Sequence, residues 1–105
     1  MPSAEVQNMI PKIQAYLATQ PVEYAYLFGS CSRGEETRKS DVDILVKLSP
    51  TTPIGLFQYV GIMNDLEDII GRKVDLVQEE GLADFARPSV NHDKIKIYER
   101  AEQRP

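Results

Sequence analysis

Two carboxylates one residue apart, Asp41 and Asp43, stand at the start of an otherwise apolar segment. If this segment is a strand, residues two apart point to the same side, so both carboxylates share one face. Val42 and Ile44 then face the other way and are predicted to lie in the core. Adjacent carboxylates repel each other, but their oxygen atoms suit a hard cation such as Mg²⁺. The pair therefore predicts a divalent metal site.

A third carboxylate, Asp75, interrupts the short apolar segment 73–77. If that segment pairs beside the strand that bears Asp41 and Asp43, the three carboxylates come together. Three carboxylates around one or two divalent ions are typical of phosphoryl transfer, in which metal ions activate the attacking oxygen and neutralise the leaving group. On this interpretation Asp41, Asp43 and Asp75 are both metal ligands and catalytic residues.

Gly29 and Ser30 form a turn pair after a segment rich in aromatic and β-branched residues. Glycine lets a phosphate approach the backbone closely, N–H groups at a strand-to-helix turn can meet phosphate oxygens, and the serine hydroxyl adds a donor. Three basic residues follow before the carboxylates and could balance the charge of a triphosphate: Arg33, Arg38 and Lys39. Cys31, beside the turn, is expected to take no part in the chemistry.

Two helices are expected among the elements that position these residues. Apolar residues recur at helical spacing over residues 3–19, where Ser3 could be the N-cap. Pro11 lies inside this pattern and is expected to kink the helix or to mark a later start. The second helix covers residues 54–70, with Thr52 as its cap.

Four strands are expected, with a loop or short helical turn at 31–39 and an irregular or weakly helical segment at 81–87. The strands cover residues 22–28, 41–48, 73–77 and 94–98. A helix that ends near Tyr98 is the alternative to the last strand, which alternates as an edge strand does. Strands and helices in this order predict an α/β or α+β domain around a small sheet.

Length, composition and charge limit the class of protein. The chain has 105 residues, 42% of them hydrophobic, and 12 Lys+Arg against 16 Asp+Glu, a net charge of −4. This predicts one domain over residues 1–105. A single cysteine excludes an intramolecular disulfide framework. Without an apolar run of roughly 20 residues or a signal peptide, a cytoplasmic protein is expected, and mild acidity argues against direct binding of nucleic acid.

Each motif alone is more often a simple turn or surface feature, but their joint arrangement resembles a known family. Gly29-Ser30, ten intervening residues and Asp41-Val42-Asp43 are similar to the DNA polymerase β-like nucleotidyltransferase superfamily, in particular to its minimal nucleotidyltransferase (MNT) domains. This resemblance implies a small mixed sheet with helices packed mainly on one face. It also implies transfer of a nucleoside monophosphate from a nucleoside triphosphate to a hydroxyl with Mg²⁺, in which Asp75 helps to deprotonate the acceptor.

The resemblance also suggests a partner. MNT proteins are often paired with a HEPN-domain toxin, and the MNT antitoxin can attach AMP from ATP to a tyrosine of that toxin. Two alternatives stay open: an antitoxin that acts by binding alone, and a stand-alone enzyme that modifies the hydroxyl of a small molecule. Assembly with the partner into an oligomer is also left open.

Overall fold

The computed structural model describes residues 2–35, 37 and 40–100, and these form four α-helices and four strands. The helices are α1 (Ala4–Leu17), α2 (Ser30–Arg33), α3 (Leu56–Ile70) and α4 (Arg87–Asp93). The strands are β1 (Val22–Phe28), β2 (Val42–Leu48), β3 (Val74–Gln78) and β4 (Ile95–Glu99). Two 3₁₀ turns, Glu79–Gly81 and Asp84–Ala86, lie between β3 and α4.

The strands form one mixed sheet in the order β3-β2-β1-β4. β1 pairs antiparallel with β2 and with β4, whereas β2 and β3 are parallel. Parallel neighbours need a crossover connection, and α3 is that connection. The mixed α/β fold expected from the sequence is therefore confirmed, and the last segment is an edge strand rather than a helix.

The main core lies on one face of the sheet, under α1 and α3. Alternate strand residues enter it, as the two-residue period of a strand requires. Val42 and Ile44 are fully buried there, as expected. Each such buried aliphatic side chain contributes roughly 1.5–3 kcal/mol. The helices supply the remaining part of the core through Val6, Met9, Ile13 and Leu17 of α1 and Ile62 and Leu66 of α3.

The start of α1 agrees with the sequence, its end lies two residues earlier than expected, and the start of α3 differs. Ser3 caps α1, since its hydroxyl accepts the Val6 N–H at 3.2 Å. The helix continues through Pro11, so the later start is wrong. Thr52 does not cap α3, because the helix begins at Leu56 and its N-cap is Gly55. Thr52 lies in the preceding turn, where its N–H donates to the Ser49 carbonyl. Among the described residues, no helix is both long and apolar enough to cross a membrane.

The segment after β3 contains an element that the sequence pattern did not indicate. The stretch 81–87, expected to be irregular or weakly helical, follows the 3₁₀ turn Glu79–Gly81, contains the 3₁₀ turn Asp84–Ala86 and leads into α4. Asn, His, Asp and Ser are poor helix formers, which hides a helix of seven residues from a reading by propensity. Only Val90 of α4 is buried, so there is also little apolar periodicity to detect.

Candidate active site

Asp43 and Asp75 lie side by side on the sheet face opposite the main core. The parallel register of β2 and β3 places Asp43 opposite Asp75. The residues that flank each of them along its strand are buried in the core, so both carboxylates point to the other face. Asp43 is half-buried and Asp75 is exposed. The strand pairing on which the prediction of a three-carboxylate site depended is therefore present.

Asp41 lies one residue before β2, because the strand begins at Val42 rather than at residue 41. Two contacts hold this position. The Val42 N–H donates to the Lys73 carbonyl at 2.8 Å, and the Cys31 Sγ donates to the Asp41 carbonyl at 3.6 Å. Cys31 is fully buried. Sequence reasoning missed this structural role of Cys31, because nothing in its neighbours indicates that it packs against the start of β2.

The Gly29 backbone presses against the Asp43 carboxylate. Phe28 is the antiparallel partner of Asp43, so the next residue along β1 comes beside the same side chain. A Cβ atom at Gly29 would lie 2.2 Å from the Asp43 Oδ2, and Gly29 has a φ of +74°. Only glycine suits both the backbone conformation and the close approach. The expected Gly-Ser turn therefore lies directly against the carboxylate of Asp43, 14 residues after Gly29 in the chain.

Ser30 begins α2, where a helical N–H group has no intrahelical acceptor. The turn is held from within, since the Ser32 hydroxyl and N–H both donate to the Gly29 carbonyl, at 2.8 and 3.1 Å. Ser30 and Gly29 are both half-buried beside the carboxylates. This arrangement leaves a short polar turn next to Asp43.

The predicted basic residues have different outcomes. Arg38 and Lys39 lie outside the described residues. Arg33 is described, and its guanidinium pairs with Glu35 at 2.8 Å and with Asp93 of α4 at 2.5 Å. Hydrogen bonds to these two carboxylates raise the pKa of Arg33 above its ordinary value. In this state the Arg33 side chain is bound to protein carboxylates, so contact with a phosphate would require it to exchange partners.

Burial and neighbouring charges perturb the Asp43 carboxyl. Its pKa is raised to about 6, first because burial removes water from the charged form and then because Asp75 and Asp41 repel it. The Arg33 charge opposes this shift only in part. Because two neighbouring like charges destabilise the ionised Asp43 carboxylate, a bound cation would stabilise that ionised form.

This shift predicts a pH-dependent stability. The Asp43 pKa is about 6 in the folded state, against an ordinary value of 3.8 for an aspartate in water. The protonated form is therefore favoured by folding, and its stabilising contribution is full below about pH 4 and lost as the pH rises through 6. With a chelator present to remove metal ions, the free energy of unfolding of the wild type should fall between pH 4 and pH 7. This fall should exceed that of Asp43→Asn by about 1–2 kcal/mol.

Chemical denaturation at several pH values measures this difference. Asp68→Asn, a change at an exposed carboxylate of α3, is the matched control and should keep the pH dependence of the wild type. Identical pH profiles for the wild type and Asp43→Asn would contradict the assignment of the raised pKa to Asp43.

The donor set fits a hard divalent cation. Within residues 2–35, 37 and 40–100, no three His, Cys, Asp or Glu side chains are close enough to enclose a metal ion by themselves. Mg²⁺ does not require such a cage, because it keeps several waters and is usually bound by one or two carboxylates and substrate phosphates. Asp43 and Asp75 on neighbouring strands, with Asp41 near enough to raise the Asp43 pKa, match that mode of binding.

Side chains of α3 hold the strand that carries Asp75. β3 is an edge strand, whose outer backbone groups have no neighbouring strand. The Glu67 carboxylate accepts the Val74 N–H at 3.0 Å, and the Tyr59 hydroxyl donates to the Leu76 carbonyl. These two bonds flank Asp75 in the chain. The sequence does not indicate them, since both side chains lie on a helix whose spacing suggests only packing.

A mixed sheet that presents paired carboxylates beside a Gly-Ser turn defines the class of the nucleotidyltransferases. The family model described as "Polymerase beta, Nucleotidyltransferase" matches residues 11–103. The chain belongs to this family and is an enzyme of the nucleotidyltransferase class.

Individual relatives agree with the family. A "Putative protein adenylyltransferase" of Methanocaldococcus jannaschii is 30% identical over 96 residues, which are 90% of this chain and 96% of the relative. A solved structure described as "Structure of putative minimal nucleotidyltransferase" is 28% identical, with a TM-score of 0.76, and the match covers 90% of this chain and 95% of that one.

A toxin-antitoxin structure has the same fold. It contains a tri-AMPylated Shewanella oneidensis HEPN toxin in complex with an MNT antitoxin. The match has a TM-score of 0.61 at 20% identity and covers 90% of this chain and 70% of that one. At this identity the similarity concerns the fold alone.

Proposed function

We propose that this protein is a Mg²⁺-dependent protein adenylyltransferase that transfers AMP from ATP to a tyrosine of a HEPN-domain toxin, and that it acts as the antitoxin. The observation that carries the proposal is the placement of Asp43, which lies beside Asp75 on one side and the Gly29 backbone on the other. The names of the adenylyltransferase relative and of the toxin-antitoxin structure support the choice of nucleotide and acceptor.

In this proposal Mg²⁺ would be held by Asp43 and Asp75 and by Asp41 beside them, with waters and ATP phosphates as its other ligands. The bound ion would neutralise negative charge on the triphosphate and on the leaving pyrophosphate. Gly29 and Ser30 bind phosphate oxygens of ATP through the turn that begins α2. The exposed Asp75 accepts the proton of the acceptor hydroxyl. The hydroxyl oxygen then forms a bond to the α-phosphorus, and the bond from that phosphorus to the bridging oxygen breaks, so pyrophosphate leaves.

The basic residues have a supporting part in the proposal. Arg33 would exchange Glu35 or Asp93 for a phosphate when ATP binds, and Arg38 and Lys39 would add positive charge. Bidentate binding by a guanidinium suits either a carboxylate or a phosphate, so this exchange costs little hydrogen bonding. Because the surface pair of Arg33 and Glu35 is well exposed, its loss should have little effect on stability.

Transfer of label from ATP tests the proposal directly. Wild-type protein, Mg²⁺ and α-labelled ATP are incubated with the HEPN-domain protein encoded by the neighbouring gene. We expect label on the partner, located on tyrosine by mass spectrometry, and none with the variant carrying Asp41→Ala and Asp43→Ala. Absence of transfer by the wild type, or equal transfer by the double variant, would overturn the proposal.

A growth assay separates catalysis from binding. At equal expression, the double variant should fail to protect cells from the toxin. Full protection by the variant would assign the antitoxin effect to binding alone. In the labelling experiment, label on the hydroxyl of a small molecule, with none on protein, would instead identify a stand-alone enzyme.

A further inference from the structure

Arg72 joins three separate segments of the chain at the edge of the candidate site. It lies between α3 and β3, and its side chain is only 11% exposed. Its Nη2 donates to the Thr37 carbonyl at 2.9 Å and to the Ser40 carbonyl at 2.6 Å. Its Nη1 lies 3.4 Å from the Glu5 carboxylate in the first turn of α1. The guanidinium therefore bonds mainly to the segment that leads into β2.

Thr37 and Ser40, whose carbonyls Arg72 binds, are also joined to each other by hydrogen bonds. The Ser40 N–H donates to the Thr37 carbonyl at 3.1 Å, and the Thr37 N–H donates to the Ser40 hydroxyl at 2.9 Å. Arg72 bonds to the carbonyls of both residues, so it holds Thr37 and Ser40 together. Asp41 follows Ser40 directly, so a displacement of Ser40 is passed to Asp41 through one peptide bond.

Arg72 also lies close in the chain to Asp75. Asp75 is three residues further on, and the Lys73 carbonyl between them accepts the Val42 N–H. The site therefore has two kinds of carboxylate. Asp43 and Asp75 are held by the strand ladder. Asp41 is exposed and lies outside the strand, so its position depends on the contacts of the segments beside it.

We propose that Arg72 is a positioning residue, which sets the distance of Asp41 from the Asp43–Asp75 pair and thereby the affinity of the site for a divalent cation. This inference rests on the proposed function, since it takes these carboxylates as ligands. The planar guanidinium can bond to two carbonyls in one fixed geometry, which a flexible ammonium group cannot reproduce. Residues that orient metal ligands typically change metal affinity by 10–100-fold when they are replaced.

Arg100 is a matched control for the structural part of this role. Its guanidinium likewise donates to two backbone carbonyls, those of Val22 and Gln20, but these lie at the start of β1, at the opposite end of that strand from Gly29. Arg72→Met and Arg100→Met therefore remove the same kind of contact near the site and far from it. Glu5→Gln removes the ion pair of Arg72 and leaves both of its bonds to carbonyls.

The experiment measures Mn²⁺ binding by electron paramagnetic resonance on the full chain, together with the melting temperature of each variant. We expect Arg72→Met to weaken Mn²⁺ binding about tenfold. Arg100→Met and Glu5→Gln should bind Mn²⁺ as the wild type does, even where the melting temperature falls. If Arg72→Met does not fold, Arg72→Lys serves instead, because it keeps the charge facing Glu5 and should still weaken Mn²⁺ binding several-fold.

The outcomes separate this inference from the proposed function. Equal Mn²⁺ affinity in the wild type and in the folded Arg72 variant would overturn the inference alone, and Arg72 would then only support the fold. Equal weakening by Arg100→Met would also overturn it, because the effect would follow from general destabilisation. Absence of Mn²⁺ binding by the wild type would overturn the metal site of the proposed function as well.

Discussion

Asp43→Asn is expected to lower AMP transfer by about 10³-fold while raising the stability of the fold. Asp43 is the carboxylate at the centre of the site, since it lies opposite Asp75 on the neighbouring strand and against Gly29 in the Gly-Ser turn. Losing one anionic ligand removes several kcal/mol of charge stabilisation in the transition state, and about 4 kcal/mol corresponds to that loss of rate. The same change relieves repulsion by Asp75 and Asp41 and should stabilise the folded state.

Label transfer in a single turnover and thermal unfolding without metal measure the two effects. Asp68→Asn is the control, because it removes an exposed charge from α3 and should change neither quantity much. A variant at Asp43 that lost stability along with activity would contradict this account, since the carboxylate would then stabilise the fold. Activity within tenfold of the wild type would show that Asp43 does not bind the essential metal.

Gly29→Ala is expected to have the second largest effect, a loss of about 10²-fold in transfer with a destabilisation of about 1–3 kcal/mol. The added Cβ atom would lie 2.2 Å from the Asp43 Oδ2, so either the turn or the carboxylate must move. The backbone of Gly29, at φ 74° and ψ −157°, is one that essentially only glycine adopts. Both effects displace the predicted phosphate-binding turn from the predicted metal ligand.

Gly71→Ala distinguishes backbone strain from damage to the site. Gly71 also has a positive φ, +69°, but nothing lies within 4 Å of the position that its Cβ would take. This change should cost about 1 kcal/mol of stability and leave transfer close to the wild-type rate. The ratio of activity lost to stability lost, measured by label transfer and chemical denaturation, should therefore be much larger for Gly29→Ala than for Gly71→Ala. Similar ratios for both variants would contradict a specific contact between Gly29 and Asp43.

The local preferences of the chain account for much of what could be predicted. Strand propensity and alternation identify β1, β2 and β3, and alternation also separates Asp43 from its buried neighbour Val42. The proposed type of site also follows from the residues themselves, because carboxylates spaced along strands suit a hard cation. The start of α3 was predicted incorrectly, since Thr52 is used in a turn and the helix begins after Gly55.

Contacts between distant residues could not be predicted in this way. Arg33 pairs with Asp93, 60 residues along the chain, and Arg72 bonds to carbonyls more than 30 residues before it. Every residue has a backbone carbonyl, so no pattern in the sequence indicates which arginine binds carbonyls of a distant segment. α4 was missed for a related reason, because it forms against the rest of the fold with little intrinsic helix preference.

The sequence by itself determined which groups could act: the aspartates, the Gly-Ser turn and the strands that bear them. Only the tertiary structure decided that Asp43 lies opposite Asp75 and against Gly29, and that Arg72 bonds to the carbonyl of Ser40, directly before Asp41. The physical reason is the range of the interactions. Side-chain chemistry and strand alternation act over a few neighbouring residues, whereas register and close approach result from packing segments that are far apart in the chain.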